Sequence, residues 1–109
     1  MKKDPEIFLK HIIESAEIIE NNIKGITKEK FSKSIIIQDA IIRRIEIIGE
    51  AAKNIPADFK KKHKSIEWRE IVGMRDKLIH DYFGVNIETV WKTAKEDVPV
   101  LKKQIEALL

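Results

Sequence analysis

The chain has 109 residues, with 21 basic and 18 acidic side chains, a net charge of +3 and no cysteine. This length suits a single domain spanning residues 1–109 and excludes a second catalytic domain. The lack of cysteine excludes disulfides and thiolate metal sites, which suits a cytoplasmic protein. No apolar stretch approaches the roughly 20 residues that a membrane span requires, so we expect no membrane association.

A net charge of this size does not by itself indicate nucleic-acid binding. The densest basic run is Lys60-Lys61-Lys62-His63-Lys64, which we place in a loop. Such a run is typical of a solvated loop. The alternative is a basic segment that attracts the phosphate backbone of a nucleic acid.

Two long amphipathic helices are predicted in the first half of the chain. Asp4-Pro5 is an N-cap followed by proline at the first helical position, and the helix that it starts ends at Gly25. After a polar connection, a second helix runs from about Ser34 until Pro56 ends it.

A third helix is predicted from about Ser65 to Phe83, and a fourth is capped by Asn86. Pro99 should break or kink that helix before a last amphipathic piece. No strand pattern appears. The sequence therefore predicts an all-α, up-and-down bundle of four helices plus a short C-terminal helix.

The second helix is apolar on more than one side. Four apolar residues lie off its main stripe, namely Ile36, Ala40, Ile47 and Ala51. We expect them to form a second buried contact, most simply with another subunit in a homodimer.

Arg75 places a permanent cation among apolar neighbours. At about 100° per residue, seven apolar residues of the third helix fall within roughly 80° of it, namely Trp68, Ile71, Val72, Leu78, Ile79, Tyr82 and Phe83. A guanidinium cannot shed its charge, so this position requires a carboxylate, a phosphate or a hydrated cleft.

Asp76 and His80 are four residues apart, so on a helix the carboxylate can orient the imidazole. His80 would lie about 140° around that helix from Arg75, so one helix does not aim both at one atom. Gly73 would let another helix approach closely, and a two-fold axis there would bring two copies of Arg75 and His80 into one cleft.

Arginine and histidine without a metal suit RNA cleavage, because histidine moves protons and arginine holds phosphoryl oxygens. The alternative is structural: Arg75 pairs with Asp76, Asp81 or Glu46, and His80 is an ordinary half-buried histidine. Glu46, with Arg43 and Glu50, could likewise line the cleft or form a surface ladder of ion pairs.

The segment Arg75-Asp76-Lys-Leu-Ile-His80-Asp81-Tyr82 resembles the signature of HEPN-domain ribonucleases, and more narrowly that of the HepT toxins. The likeness extends to residues 43–51, to residues 68–74 and to Trp91, and so covers most of the chain.

The resemblance implies a HEPN-like homodimer acting as a metal-independent endoribonuclease without a cofactor. By this resemblance Arg75 would hold the phosphate and His80 would serve as acid–base, and Asp76 stands where relatives often have asparagine. We assign Asp76 and Glu46 supporting roles in this site. The resemblance also implies a toxin–antitoxin system, in which a minimal nucleotidyltransferase antitoxin transfers AMP to Tyr82. The alternative is a non-catalytic module that binds a nucleotide or the nucleotidyltransferase.

Overall fold

The computed structural model describes residues 4–81 and 84–109, with the side chains of residues 79–81 and 84–85 left outside the description. Its helices are α1 (Pro5–Ile23), α2 (Lys28–Lys33), α3 (Ile35–Asn54), α4 (Ala57–Lys62), α5 (Trp68–Val72), α6 (Met74–Leu78), α7 (Ile87–Lys92) and α8 (Val98–Glu106). Two short strands, β1 (Ile79–Asp81) and β2 (Gly84–Val85), pair antiparallel between α6 and α7. A π-helical turn, Thr93–Asp97, joins α7 to α8.

The two long helices begin where the sequence predicted, and each start is capped by a side chain. The Asp4 carboxylate accepts a hydrogen bond from the backbone N–H of Glu6 at 2.9 Å. The Ser34 hydroxyl accepts one from Ile37 at 3.3 Å. Each cap satisfies a backbone donor that the first turn of a helix leaves unpaired, so local chemistry sets both starts.

The core is built mainly from isoleucine and lies between α1 and α3. Ile12 and Ile19 of α1 and Ile41, Ile45 and Ile48 of α3 are fully buried. The apolar stripe of α8 packs against α1. The predicted all-α class is confirmed, although the short pair of strands was not expected.

Two short helices occupy segments that were predicted as connections. Thr27 caps α2 by accepting from the N–H of Lys30 at 3.1 Å, and Phe31 anchors that helix in the core. The basic run was predicted in a loop, yet Lys60 to Lys62 form the last turn of α4. Helices this short depend on such anchors, because isolated short helices are marginal in water.

The prediction of one continuous third helix from Ser65 to Phe83 is wrong. Helix α5 ends at Gly73, whose N–H bonds back to the carbonyl of Arg69, and α6 starts at the next residue and ends at Leu78. Glycine is a poor residue for a helix interior, which explains the break at this point. The predicted helix end at Phe83 lies outside the described residues.

Pro99 does not break the last helix. The helical path widens first, in the π turn Thr93–Asp97, and Pro99 then lies in the first turn of α8. Proline is tolerated there because a first-turn N–H has no partner within its own helix.

The second apolar face of α3 is only partly covered. Ala51 is buried within the chain's own core, which corrects its assignment to a subunit contact. Ile36 is 83% exposed, whereas Ala40 and Ile47 are half-buried. A partly covered apolar strip, defined by Ile36, Ala40 and Ile47, therefore remains along α3.

Among the described residues, no helix is long and apolar enough to cross a membrane.

Helices α3 and α5 meet at Gly49. A Cβ atom added at Gly49 would lie 3.2 Å from the carbonyl oxygen of Val72 and 3.6 Å from that of Ile71. The first distance is shorter than ordinary van der Waals contact, so the backbone of α5 reaches α3 this closely only because residue 49 has no side chain.

Gly49→Val should therefore destabilise the fold by about 1–3 kcal/mol, because the added atoms force α5 away from α3. Valine has a higher helix propensity than glycine, so the loss would come from packing. Urea unfolding measures it, with Glu50→Val as the matched control on the exposed side of the same helix. Equal stability of the two variants would contradict the close approach.

Candidate functional site

Arg75 and Glu46 form an ion pair that joins α6 to α3. The Arg75 Nε atom donates to the Glu46 Oε2 atom at 2.9 Å. The two residues are separated by 29 positions in the chain, so the pair depends on the packing of α5 and α6 against α3. The Arg75 side chain is 51% exposed and the Glu46 side chain 31%. This pair is the centre of the candidate site.

Arg75 does not lie in the middle of a buried face, which corrects that prediction. The buried residues of α5 and α6 are Trp68, Ile71, Met74 and Leu78. The break at Gly73 invalidates an angle counted along one helix, and Arg75 lies at the edge of the buried stripe. Partial solvation and the Glu46 carboxylate stabilise its charge. A carboxylate was one of the three partners that the sequence analysis required for Arg75.

Only one edge of the guanidinium is engaged among the described residues. The bond to Glu46 uses Nε, and the Nη1 atom is 3.9 Å from the Asp76 carboxylate, which is too long for a hydrogen bond. The Asp76 side chain is itself 84% exposed. The terminal nitrogens of Arg75 can therefore donate to an oxyanion while Glu46 holds the side chain.

His80 lies in β1 rather than on the helix that carries Asp76 and Arg75. The one-turn spacing between Asp76 and His80 was counted on a helix, so this geometric prediction is wrong. The imidazole of His80 and the whole of Tyr82 lie outside the described residues, and their catalytic and acceptor roles stay predictions.

The charged residues on the polar side of α3 were expected either to line the cleft or to form a surface ladder of ion pairs. No ion pair joins Arg43 to Glu46 or to Glu50 in the described part of the chain, so the surface ladder is not formed. Glu46 instead pairs with Arg75.

Sequence reasoning did not single out Gly49 as the point of close approach and assigned that property to Gly73. A Cβ at Gly73 would meet only the carbonyls of Arg69 and Glu70, in the preceding turn of the same segment. The signal for Gly49 was present: a glycine inside a long amphipathic helix costs roughly 1 kcal/mol relative to alanine and so needs a packing reason.

Aromatic contacts pack the basic run, residues 60–64, against α5. The rings of Phe59 and His63 lie 4.5 Å apart, and those of Phe59 and Trp68 6.4 Å apart. The indole N–H of Trp68 donates to the His63 carbonyl at 3.0 Å. Partial burial lowers the pKa of Lys60 below its ordinary value. This segment is thus an ordered part of the surface.

One cavity among the described residues, of about 240 Å³, lies between α5, α6 and α8. Ile71, Met74 and Leu101 are among its lining residues, with Glu70 and Lys77 beside them, and Arg75 does not line it. No group of histidine, cysteine and carboxylate side chains in the described ranges could hold a metal ion. A site that works without metal stays a prediction.

Comparison with known proteins gives consistent matches. The model of the family described as HepT-like ribonucleases matches residues 12–108. A Thermococcus cleftensis protein named "Probable ribonuclease HepT" is 51% identical over 108 residues, which are 99% of this chain and 98% of that protein. A candidate RNase of Caldanaerobacter subterraneus subsp. tengcongensis is 46% identical over 107 residues, 98% and 96% of the two chains.

A Methanocaldococcus jannaschii protein named as a gamma-glutamylcyclotransferase and candidate RNase is 50% identical over 105 residues. The match covers 96% of this chain and 47% of that larger protein. No solved structure gives a significant match.

The Arg75–Glu46 pair should position a side chain more than it stabilises the fold. In a double-mutant cycle of Arg75→Ala and Glu46→Ala, we expect a coupling below about 1 kcal/mol, because solvent screens a half-exposed pair. Urea unfolding at one protein concentration measures it. The exposed pair Glu6–Lys10, at 3.0 Å, is the control. A coupling of several kcal/mol would contradict the exposure of Arg75.

Proposed function

Because the chain belongs to the HepT-like ribonuclease family, we propose that it is a metal-independent endoribonuclease. The observation that carries the proposal is the exposed guanidinium of Arg75, held by Glu46 through Nε at 2.9 Å, with no hydrogen bond from its terminal nitrogens to any described residue. Arg75 is also the first residue of the segment that resembles the RxxxxH signature.

In the proposed reaction, the ribose 2′ oxygen attacks the neighbouring phosphorus and the bond to the 5′ oxygen breaks. The 2′ hydroxyl loses its proton to a base, and the leaving 5′ oxygen gains one from an acid. His80 serves in this proton transfer, since imidazole titrates near neutral pH. Arg75 donates to the phosphoryl oxygens as negative charge accumulates on them. The products are a 2′,3′-cyclic phosphate and a 5′ hydroxyl.

The active form in this proposal is a homodimer. The apolar strip Ile36, Ala40 and Ile47 supports it, because it runs along the helix that carries Glu46 and is only partly covered, with Ile36 83% exposed. By helical geometry the strip begins about 80° around α3 from Glu46. A second subunit covering the strip would border the Arg75–Glu46 pair and could complete a cleft with its own copy of the motif.

The proposed biological role is that of the toxin in a type II toxin–antitoxin system, with a minimal nucleotidyltransferase as antitoxin. In the inactivating step, the Tyr82 hydroxyl oxygen attacks the α-phosphorus of ATP, pyrophosphate leaves, and the hydroxyl proton passes to a base. The phosphate so attached would add negative charge and bulk near the motif and compete with RNA for Arg75.

Purified protein should cleave RNA in the presence of EDTA, and Arg75→Ala and His80→Ala should each lower the rate by at least about a hundredfold. Loss of a proton-transfer group or of an oxyanion donor has effects of this order. Gel analysis of RNA fragments and of their 2′,3′-cyclic ends measures the rate.

Two variants serve as matched controls for this assay. Lys77→Ala removes an exposed cation two residues from Arg75, and His11→Ala removes an exposed histidine of α1. Both should cleave like the wild type, and all variants should retain their helical circular dichroism and dimer mass. RNA decay at one rate in every variant refutes the nuclease, and RNA binding without products favours a non-catalytic binding module.

Coexpression with a nucleotidyltransferase encoded beside this chain should raise its intact mass by one or more AMP units and abolish cleavage. Tyr82→Phe removes the acceptor oxygen and should abolish the mass increase, whereas Tyr82→Phe expressed alone should still cleave. Mass spectrometry and the RNA assay on the same samples measure both effects. An unchanged mass increase in Tyr82→Phe would place the acceptor elsewhere.

A further inference from the structure

The positive charge of the chain is concentrated in one segment. Residues 53–69 hold six basic and two acidic side chains, a net charge of +4. The rest of the chain, with 15 basic and 16 acidic side chains, has a net charge of −1. The basic residues of the segment are Lys53, Lys60, Lys61, Lys62, Lys64 and Arg69, and we call the surface that they form the basic surface.

Within the described residues, no carboxylate pairs with any member of the basic surface. Elsewhere in the chain, Lys10, Lys28, Lys33 and Lys102 each lie within 4.0 Å of a glutamate oxygen. Every member of the basic surface except the half-buried Lys60 is exposed. Unpaired, accessible cations that lie close together repel one another. An external polyanion would offset this repulsion and so lower the electrostatic free energy.

The basic surface is also ordered, which a solvated tail would not be. Lys60, Lys61 and Lys62 form the last turn of α4 and Lys64 follows it, whereas Lys53 lies in the last turn of α3. Phe59 and His63 connect the end of α4 to Trp68, the first residue of α5. An ordered cationic surface loses less conformational entropy on binding than a flexible run of lysines would.

The basic surface continues to the Arg75–Glu46 pair. Lys53 comes seven residues after Glu46 in α3, which is two turns along the same face, or about 10 Å. Arg69 lies on α5, which packs against α3. Lys53 and Arg69 therefore lie on two helices that pack together and lead to the pair, and α4, with its lysines, comes between them in the chain.

We propose that the basic surface binds the phosphate backbone of single-stranded RNA that extends beyond the cleaved bond. This inference rests on the proposed nuclease function. It predicts that the substrates are RNA strands long enough to reach α4 and that the surface binds them without regard to base sequence. A polyphosphate strand fits the arrangement better than a compact anion, because the cations are spread along residues 53–69, from α3 through α4 to α5.

The triple variant Lys61→Gln, Lys62→Gln, Lys64→Gln tests the proposal. The probe is a fluorescent 2′-O-methyl oligouridine of about 16 nucleotides, the upper length for one binding groove, which the proposed chemistry cannot cleave. At about 0.1 M salt, the dissociation constant should rise at least tenfold, and the slope of log K against log salt should fall by about 2, at about 0.7 for each lost phosphate contact.

The matched control is Lys24→Gln, Lys30→Gln, Lys103→Gln, which removes three exposed lysines outside residues 53–69 and changes the net charge equally. It should bind the oligouridine like the wild type, and both triple variants should keep their circular dichroism. Equal binding by the two triple variants overturns the proposal. So does unchanged RNA binding with a loss of binding to phosphatidylserine vesicles, which would identify a membrane surface instead.

Because this probe is not cleaved, its dissociation constant measures the contribution of the basic surface independently of catalysis. Wild-type protein that binds through these lysines but yields no RNA fragments in EDTA would refute the nuclease and leave the basic surface standing. Cleavage that is equal in both triple variants, on long RNA as on short, would refute the basic surface and leave the nuclease standing.

Discussion

The close approach of α3 and α5 at Gly49 is the constraint on which the rest of the site depends. A carbonyl oxygen of α5 lies 3.2 Å from the position that a Cβ atom at residue 49 would take, and this contact brings the following helix within reach of Glu46. The ion pair with Arg75 is therefore a product of backbone packing, three residues away from the glycine in α3. The site is built on two helices of the core rather than on a loop, which favours a fixed geometry.

Local chemistry could be predicted from the sequence, and contacts between distant segments could not. The cap at Ser34 was recognisable because its partner is three residues away. Helix α2 was missed because Phe31 anchors it through tertiary burial. At the site, the motif was found as a pattern, but one helix was extended through Gly73, which placed Arg75 on the wrong face. Glu46 remained one of several possible partners, since its pairing spans 29 residues.

The uneven charge distribution matters for encounter as well as for binding. A net charge of +4 within residues 53–69 and −1 over the remainder makes the chain an electrical dipole. Such a field orients an approaching polyanion before contact and raises its association rate at low ionic strength. In the proposed complex, the cationic segment would then meet the strand first.

The bond between Arg75 and Glu46 has a kinetic consequence. A long side chain that must be immobilised when its ligand arrives costs about 0.5–1.5 kcal/mol of ordering free energy. Glu46 has already restricted the Arg75 side chain through Nε, before any phosphate arrives. In the proposed cleavage, the same carboxylate would weaken the net positive potential at the guanidinium, so that an intact, singly charged phosphodiester would be held only loosely. A transition state with more negative charge benefits more from the same donors, and this difference is what accelerates a reaction.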